Sequence, residues 1–181
     1  VTRENGKVSV SESEIAQELE KANQDNSVKE ILISGQIKGL QNTDKAVLLI
    51  DTPGPNNSGD ISHGKTTKKV FDMLNGGIVL YLLNVTQLAI ADDLNLLSFV
   101  KEQVAKKENM EVLFVLNKID ELDLEKESLI DVLLQAKGYL QKNGIEHPQI
   151  IPVSALAAKV LKKMQKGERL TRKEQRDFEC L

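Results

Sequence analysis

From about residue 29 onward, short apolar runs alternate with stretches in which apolar residues recur every three or four positions. Runs of that length bounded by polar or turn residues predict buried strands, and the period between them predicts amphipathic helices. Four runs carry the strand pattern: residues 46–50, 77–83, 112–116 and 149–153. A fifth, residues 30–37, alternates less cleanly and includes Ser34, Gly35 and Gln36, as an edge strand does. A turn over residues 39–44 would let it pair antiparallel with 46–50. One helical face is Val70, Phe71 and Leu74, another is Leu94, Leu97 and Val104, and a third is Leu129, Val132, Leu133, Ala136 and Leu140. Ser11 with Glu14, and Thr171 with Glu174, have the spacing of a capping box and predict helix starts near both ends. The whole order predicts an α/β fold, a mostly parallel sheet with helices on both faces.

Residues 1–29, polar and acidic, read as an N-terminal appendage or as a segment of the switch region of the intact domain. Residues 30–167 form the core domain, and Gly167 marks the break before a C-terminal helix over 168–181. The chain has 181 residues, 40% of them hydrophobic, enough for one domain with a substantial core. A net charge of −3, two Tyr, four Phe and no Trp argue against nucleic acid as a partner. The single cysteine, Cys180, cannot form an internal disulfide, and His63 and His147 have no metal-ligand spacing. A reduced, cytoplasmic protein is expected. No apolar run approaches the roughly 20 residues of a membrane span. The start at Val1 rather than Met suggests a piece of something longer.

Three polar segments sit where predicted strands end, which in an open α/β sheet is where ligands bind. Asp51-Thr52-Pro53-Gly54 follows the first run. The Asp can hold magnesium through a water, and Gly54 lets its backbone N–H approach a phosphate without an intervening Cβ. The same letters also make an ordinary turn closed by Pro and Gly. Asn117-Lys118-Ile119-Asp120 follows the third. Guanine offers two adjacent donors, N1–H and the 2-amino group, to one carboxylate, whereas adenine offers an acceptor at N1, so Asp120 in such a site selects guanine. Asn117 can bond the other edge of the base, and the Lys118 stem can pack on its face. The alternative is a polar cap ahead of Leu122 and Leu124. Ser154-Ala155 follows the last run; a small residue there lets a backbone N–H reach a base carbonyl, and Ser equally starts helices.

In this order and at these strand ends, the three segments resemble the motifs of the P-loop GTPases. DTPG resembles their switch II motif, NKID the guanine-specificity motif and SA the last base-binding loop. The wider DTPGPNN, and Asn84-Val85-Thr86-Gln87-Leu88 at a strand exit, are similar to the bacterial dynamin-like large GTPases. The resemblance covers about residues 29–166. It implies a GTPase domain that binds GTP or GDP with Mg2+, with Asp51 holding the metal through water, Gly54 sensing the terminal phosphate, and Asn117, Lys118, Asp120, Ser154 and Ala155 selecting guanine. It also implies that the longer protein could associate peripherally with membranes.

The resemblance lacks its phosphate loop. None of the glycines ahead of Asp51 opens a G-x-x-x-x-G-K-S/T pattern. A literal match, Gly59-Asp60-Ile61-Ser62-His63-Gly64-Lys65-Thr66, lies downstream. A working loop follows its strand directly, and here the segment 51–58 with Pro53 and Pro55 intervenes, so the match reads as accidental and an ATP site built on it is the lesser reading. The expectation is a GTPase-like domain incomplete at its N-terminal strand, inactive in hydrolysis on its own. A slot beside the strand 46–50 would then invite self-association there or across the nucleotide face. A competing reading is a degenerate, non-catalytic interaction module of the same fold. Lys159, Lys162, Lys163, Lys166, Arg169, Arg172, Lys173 and Arg176 form a basic stripe, read as a solvated helix face.

Overall fold

The computed structural model describes residues 2–4, 7–9, 15–25, 28, 31–35, 47–52, 61–88, 91–123 and 125–179, and the chain divides into two units, Val1–Leu49 and Ile50–Leu181. The first unit opens with an antiparallel hairpin, β1 (Thr2–Glu4) and β2 (Lys7–Ser9), in which Thr2 lies opposite Ser9 and Glu4 opposite Lys7. Asn5-Gly6 between them is a strong short-range hairpin signal in the sequence. Helix α1 (Ile15–Gln24) half-buries Ile15, Leu19 and Ala22 and exposes Gln17, Glu20 and Lys21, so the period read from the sequence holds. Ser11 and Glu14 lie outside the described residues.

Two expected strands are not formed where they are described. Residues 31–35 and 47–50 have no regular structure, and their apolar side chains are exposed: Leu32 by 76%, Leu48 by 66% and Leu49 by 72%. Apolar composition makes a strand only where a neighbour supplies ladder hydrogen bonds and a packed face, and neither segment has a strand partner among the described residues.

The second unit builds its core by repeated helix and strand: α2 (Ile61–Met73), β3 (Gly77–Asn84), α3 (Ala91–Ala105), β4 (Met110–Asn117), α4 (Leu129–Lys142), β5 (Ile150–Pro152), α5 (Ala155–Gln165) and α6 (Arg172–Glu179). The strands form one parallel sheet in the order β3-β4-β5, in register Tyr81 to Phe114 and Leu116 to Pro152. This is a mixed α/β fold. Alternation along β3 and β4 sends Tyr81, Leu83, Phe114 and Leu116 to one face, where they meet Phe71 of α2, Leu97 and Val100 of α3, and Val132, Ala136 and Leu140 of α4. Each fully buried Leu there contributes about 2 kcal/mol of apolar transfer. The rings of Phe71 and Phe99 meet edge to face, centroids 5.4 Å apart. Lys107 ties α2 down by donating to the carbonyls of Phe71 and Leu74 at its C-terminal end.

The opposite face is half-covered at Leu113 and Val115 of β4 and open at β3 and β5 among the described residues. Ile78, Leu80 and Leu82 of β3 are 67%, 56% and 67% exposed there, and Ile151 of β5 is 45% exposed. Helix α5 ends as predicted at Gly167, whose φ of +68° lets it donate to Met164 O at 2.9 Å while Glu168 donates to Lys163 O at 3.0 Å. Among the described residues no helix is long and apolar enough to cross a membrane.

Candidate functional site

Parallel strands deliver their C-terminal ends to one rim of the sheet, so the register of β3, β4 and β5 decides which polar side chains become neighbours. Asn84 and Asn117 are register partners at the tips of β3 and β4, and β5 ends just ahead of Ser154. The third and fourth strand ends predicted from the sequence are thereby joined. Val153 N donates to Leu116 O at 2.8 Å, Ile119 N to Val153 O at 3.4 Å, and Ala155 N to Asn117 Oδ1 at 3.1 Å. The last bond spans two motifs 38 residues apart in sequence.

That bond also fixes the Asn117 amide. A backbone N–H can only donate, so the oxygen must face Ala155 and Nδ2 is left to donate elsewhere. It alters the part expected of Ala155, whose N–H is engaged by Asn117 rather than held free for a base carbonyl. Ser154 accepts from Ala157 N at 2.9 Å and so caps α5, fixing the turn that carries Ala155.

Lys118 has φ +69° and ψ +31°, the one non-glycine residue among those described with positive φ. A lysine there costs on the order of 1 kcal/mol, and strain of this kind concentrates at functional sites. The left-handed step turns the chain from β4 into the short 3-10 turn Ile119–Glu121, which carries Asp120. Lys118 Nζ lies 3.1 Å from Glu121 Oε1, an ion pair that anchors the tip of the lysine. Glu121 was not singled out in the sequence, although its spacing of three from Lys118 is an ordinary ion-pair signal.

Asp120 itself is half-buried, and its Oδ1 is buried with no hydrogen-bond partner. A desolvated carboxylate oxygen without a donor costs free energy, and native proteins rarely keep one for nothing. At the β3 tip, Asn84 Oδ1 accepts from Thr86 N at 3.1 Å and Thr86 Oγ1 at 3.0 Å, and the turn Val85–Gln87 packs against Ile119–Glu121. The rim thus sets Asn117, Lys118, Asp120, Ser154 and Ala155 together.

The phosphate side is not assembled in the same way. Asp51 is exposed, and none of the hydrogen bonds or ion pairs among the described residues joins it to the β4 and β5 tips. Pro53 and Gly54 lie outside the described residues, as do Gly59 and Asp60. Residues 61–63 of the G-x-x-x-x-G-K-T match, which a phosphate loop would hold as loop ahead of its helix, are already helical backbone within α2, so they do not form a loop that could wrap an anion. Among the described residues no group of three or more His, Cys, Asp or Glu could hold a metal ion. His147 is exposed.

Beside Ala155, a groove of about 510 Å³ runs along α5, lined by Lys159, Lys162, Lys163, Lys166 and Glu168 with the two alanines 155 and 158. Beyond it, α6 is held by Glu174, which is 6% exposed. Glu174 Oε1 meets Lys163 Nζ at 2.7 Å and Lys159 Nζ at 3.4 Å, Oε2 accepts from Thr171 N at 2.9 Å, and Thr171 Oγ1 accepts from Glu174 N at 3.2 Å. This is the capping box read from the sequence, and the hydrogen bond from Lys163, ahead of that from Thr171, lowers the Glu174 pKa to about 2. The chain matches no known family profile and no curated protein.

Proposed function

We propose that the chain recognises guanine and forms the base-binding part of a nucleotide-binding GTPase domain, of the dynamin-like kind that its DTPGPNN segment resembles. The observation that carries this reading is the buried, unpartnered Oδ1 of Asp120 beside an Asn117 amide whose oxygen is already spoken for. Guanine supplies what this rim lacks. Its N1–H and 2-amino group donate to the Asp120 carboxylate, and its O6 and N7 accept from Asn117 Nδ2. The Lys118 stem covers the ring face, and Ala155 acts by holding Asn117 in place. Adenine would set its N1 lone pair against Asp120 and leave the orphan oxygen unsatisfied.

Hydrolysis rests on the resemblance alone, and Gly54, the residue that would sense the terminal phosphate, lies outside the described residues. Recognition of the base by itself supports affinity on the order of millimolar. No appreciable GTP turnover is expected from this chain. A cytoplasmic setting and peripheral membrane association of a longer protein belong to the same proposal.

The test is an NMR titration of the chain with GMP, AMP and XMP. GMP should move the amides of Asn117, Asp120 and Ala155, and AMP should not. Xanthine replaces the 2-amino donor by a carbonyl, so Asp120→Asn, with an amide N–H2 to donate, should reverse the preference from GMP to XMP by about tenfold or more. Equal response to GMP and AMP, or an unchanged preference in Asp120→Asn, refutes the reading. A nucleotide-free interaction module is the second reading, favoured by the exposed apolar row Ile78, Leu80 and Leu82 of β3, and it predicts no response to any of the three nucleotides.

A further inference from the structure

The turn that carries Asp120 is held from two sides. Lys118, with φ +69°, opens the turn Ile119–Glu121 by a strained left-handed step, and such a step persists only where its surroundings fix it. On the β5 side Ile119 N donates to Val153 O at 3.4 Å, and Ala155 N to Asn117 Oδ1 at 3.1 Å. On the β3 side the support is a second short turn. Asn84 is the register partner of Asn117, so the turns that follow β3 and β4 leave the sheet side by side, roughly 4.8 Å apart at their roots. Val85–Gln87 packs against Ile119–Glu121.

The Asn84 side chain shapes that second turn. Its Oδ1 accepts from Thr86 N at 3.1 Å and from Thr86 Oγ1 at 3.0 Å, and its Nδ2 donates to Gln87 Oε1 at 3.3 Å. Both ends of the amide are thus spent inside the turn, which they cap. Val85, 8% exposed, pins the same turn to the core, so a capped and anchored element stands beside Ile119–Glu121. We propose that Asn84 is a positioning residue for guanine recognition: through the turn Val85–Gln87 it holds Ile119–Glu121, and with it Asp120, in the geometry that receives the base. The proposal rests on the guanine reading above and adds to it a residue outside the NKID and SA segments. A carboxylate that must accept two adjacent donors at once depends on its orientation, and a loosened turn has to be reordered each time the base binds.

The test compares Asn84→Ala, Asn84→Ser and Thr171→Ala in the full chain. Serine restores a capping oxygen without adding charge. Thr171→Ala removes a cap of the same kind from α6, which carries none of the base-binding residues. One readout is solvent exchange, by NMR, of the Glu121 and Leu122 amides, which donate to Lys118 O at 2.9 Å and Ile119 O at 3.3 Å. The other is titration with GMP. Asn84→Ala should speed exchange of both amides and weaken GMP binding by about fivefold, the size of a lost cap. Asn84→Ser should recover most of both, and Thr171→Ala should change neither. Unchanged exchange at Glu121 and Leu122 in Asn84→Ala overturns the proposal, as does GMP affinity equal to that of the parent. The two possible failures differ: if the guanine reading is wrong, the parent itself gives no response to GMP, whereas if only the role of Asn84 is wrong, the parent and Asn84→Ala respond alike.

Discussion

Asp120 and Glu174 are both carboxylates withdrawn from water, and the chain treats them in opposite ways. Glu174 is saturated: two lysines, a backbone N–H and its own capping partner Thr171 close around it. Asp120 keeps Oδ1 buried and unpartnered at the strand rim. Satisfied, a buried carboxylate is a structural clasp that joins α5 to α6. Unsatisfied, it is a cost to stability that a ligand with two adjacent donors would remove. The same residue chemistry thus marks a strut at one place and a receptor at another, and partners rather than burial make the difference.

If that contrast is right, removing Glu174 has the larger effect. Glu174→Ala should lower the melting temperature by several degrees and free α6 from α5, because it leaves Lys163 half-buried without its counter-charge and Thr171 N without an acceptor. Thermal melts followed by circular dichroism, with hydrogen exchange of the α6 amides, measure it. A melt indistinguishable from the parent would mean that the clasp is ornamental.

Acid should reach the same clasp by a gentler route. The folded pKa of Glu174, about 2, lies below its ordinary value of 4.5, chiefly through the Lys163 hydrogen bond, so its contribution is fully present above the unfolded pKa and fades as pH falls from about 4.5 to 2. Melting temperatures of the parent and of Glu174→Gln should therefore differ at pH 6 and converge toward pH 2. Glu102 shifts in the same direction through exposed Lys106, a pair whose weight is small. A constant difference across the whole range would show that charge is not what the clasp uses.

How much of this was legible follows from the range of each interaction. Strands β3, β4 and β5 could be read because runs such as 112–116 are both apolar and flanked by strands or helices that bury them. Residues 47–50 have the same composition and no strand partner among the described residues, which no local pattern reveals. The capping box at Thr171 and Glu174 was legible because both partners lie within one turn, whereas the ion pairs from Lys159 and Lys163 to Glu174 join two helices. At the rim, the residue types of NKID and SA suggested a guanine site. The bond that links them, Ala155 N to Asn117 Oδ1, depends on two strands being adjacent, and the left-handed backbone at Lys118 has no signal in a residue type that normally avoids it. The exposure of Ile78, Leu80 and Leu82 is the least legible feature, because the sequence shows only that a strand exists and not which of its faces is covered.

The smallest expected effect is the most informative about Asp120. Asp120→Ala removes a charge and its orphan oxygen from the turn Ile119–Glu121 while breaking no hydrogen bond among the described residues. A side chain kept for stability would be missed; one kept for a ligand would not. Stability should therefore stay within about 0.5 kcal/mol of the parent or rise, as it does when a strained functional residue is neutralised. Urea unfolding of the two proteins side by side, with equal m-values as the check that the same transition is compared, gives the difference. A loss beyond about 1.5 kcal/mol would place Asp120 with Glu174 among the struts, and the unpartnered oxygen would no longer argue for a base.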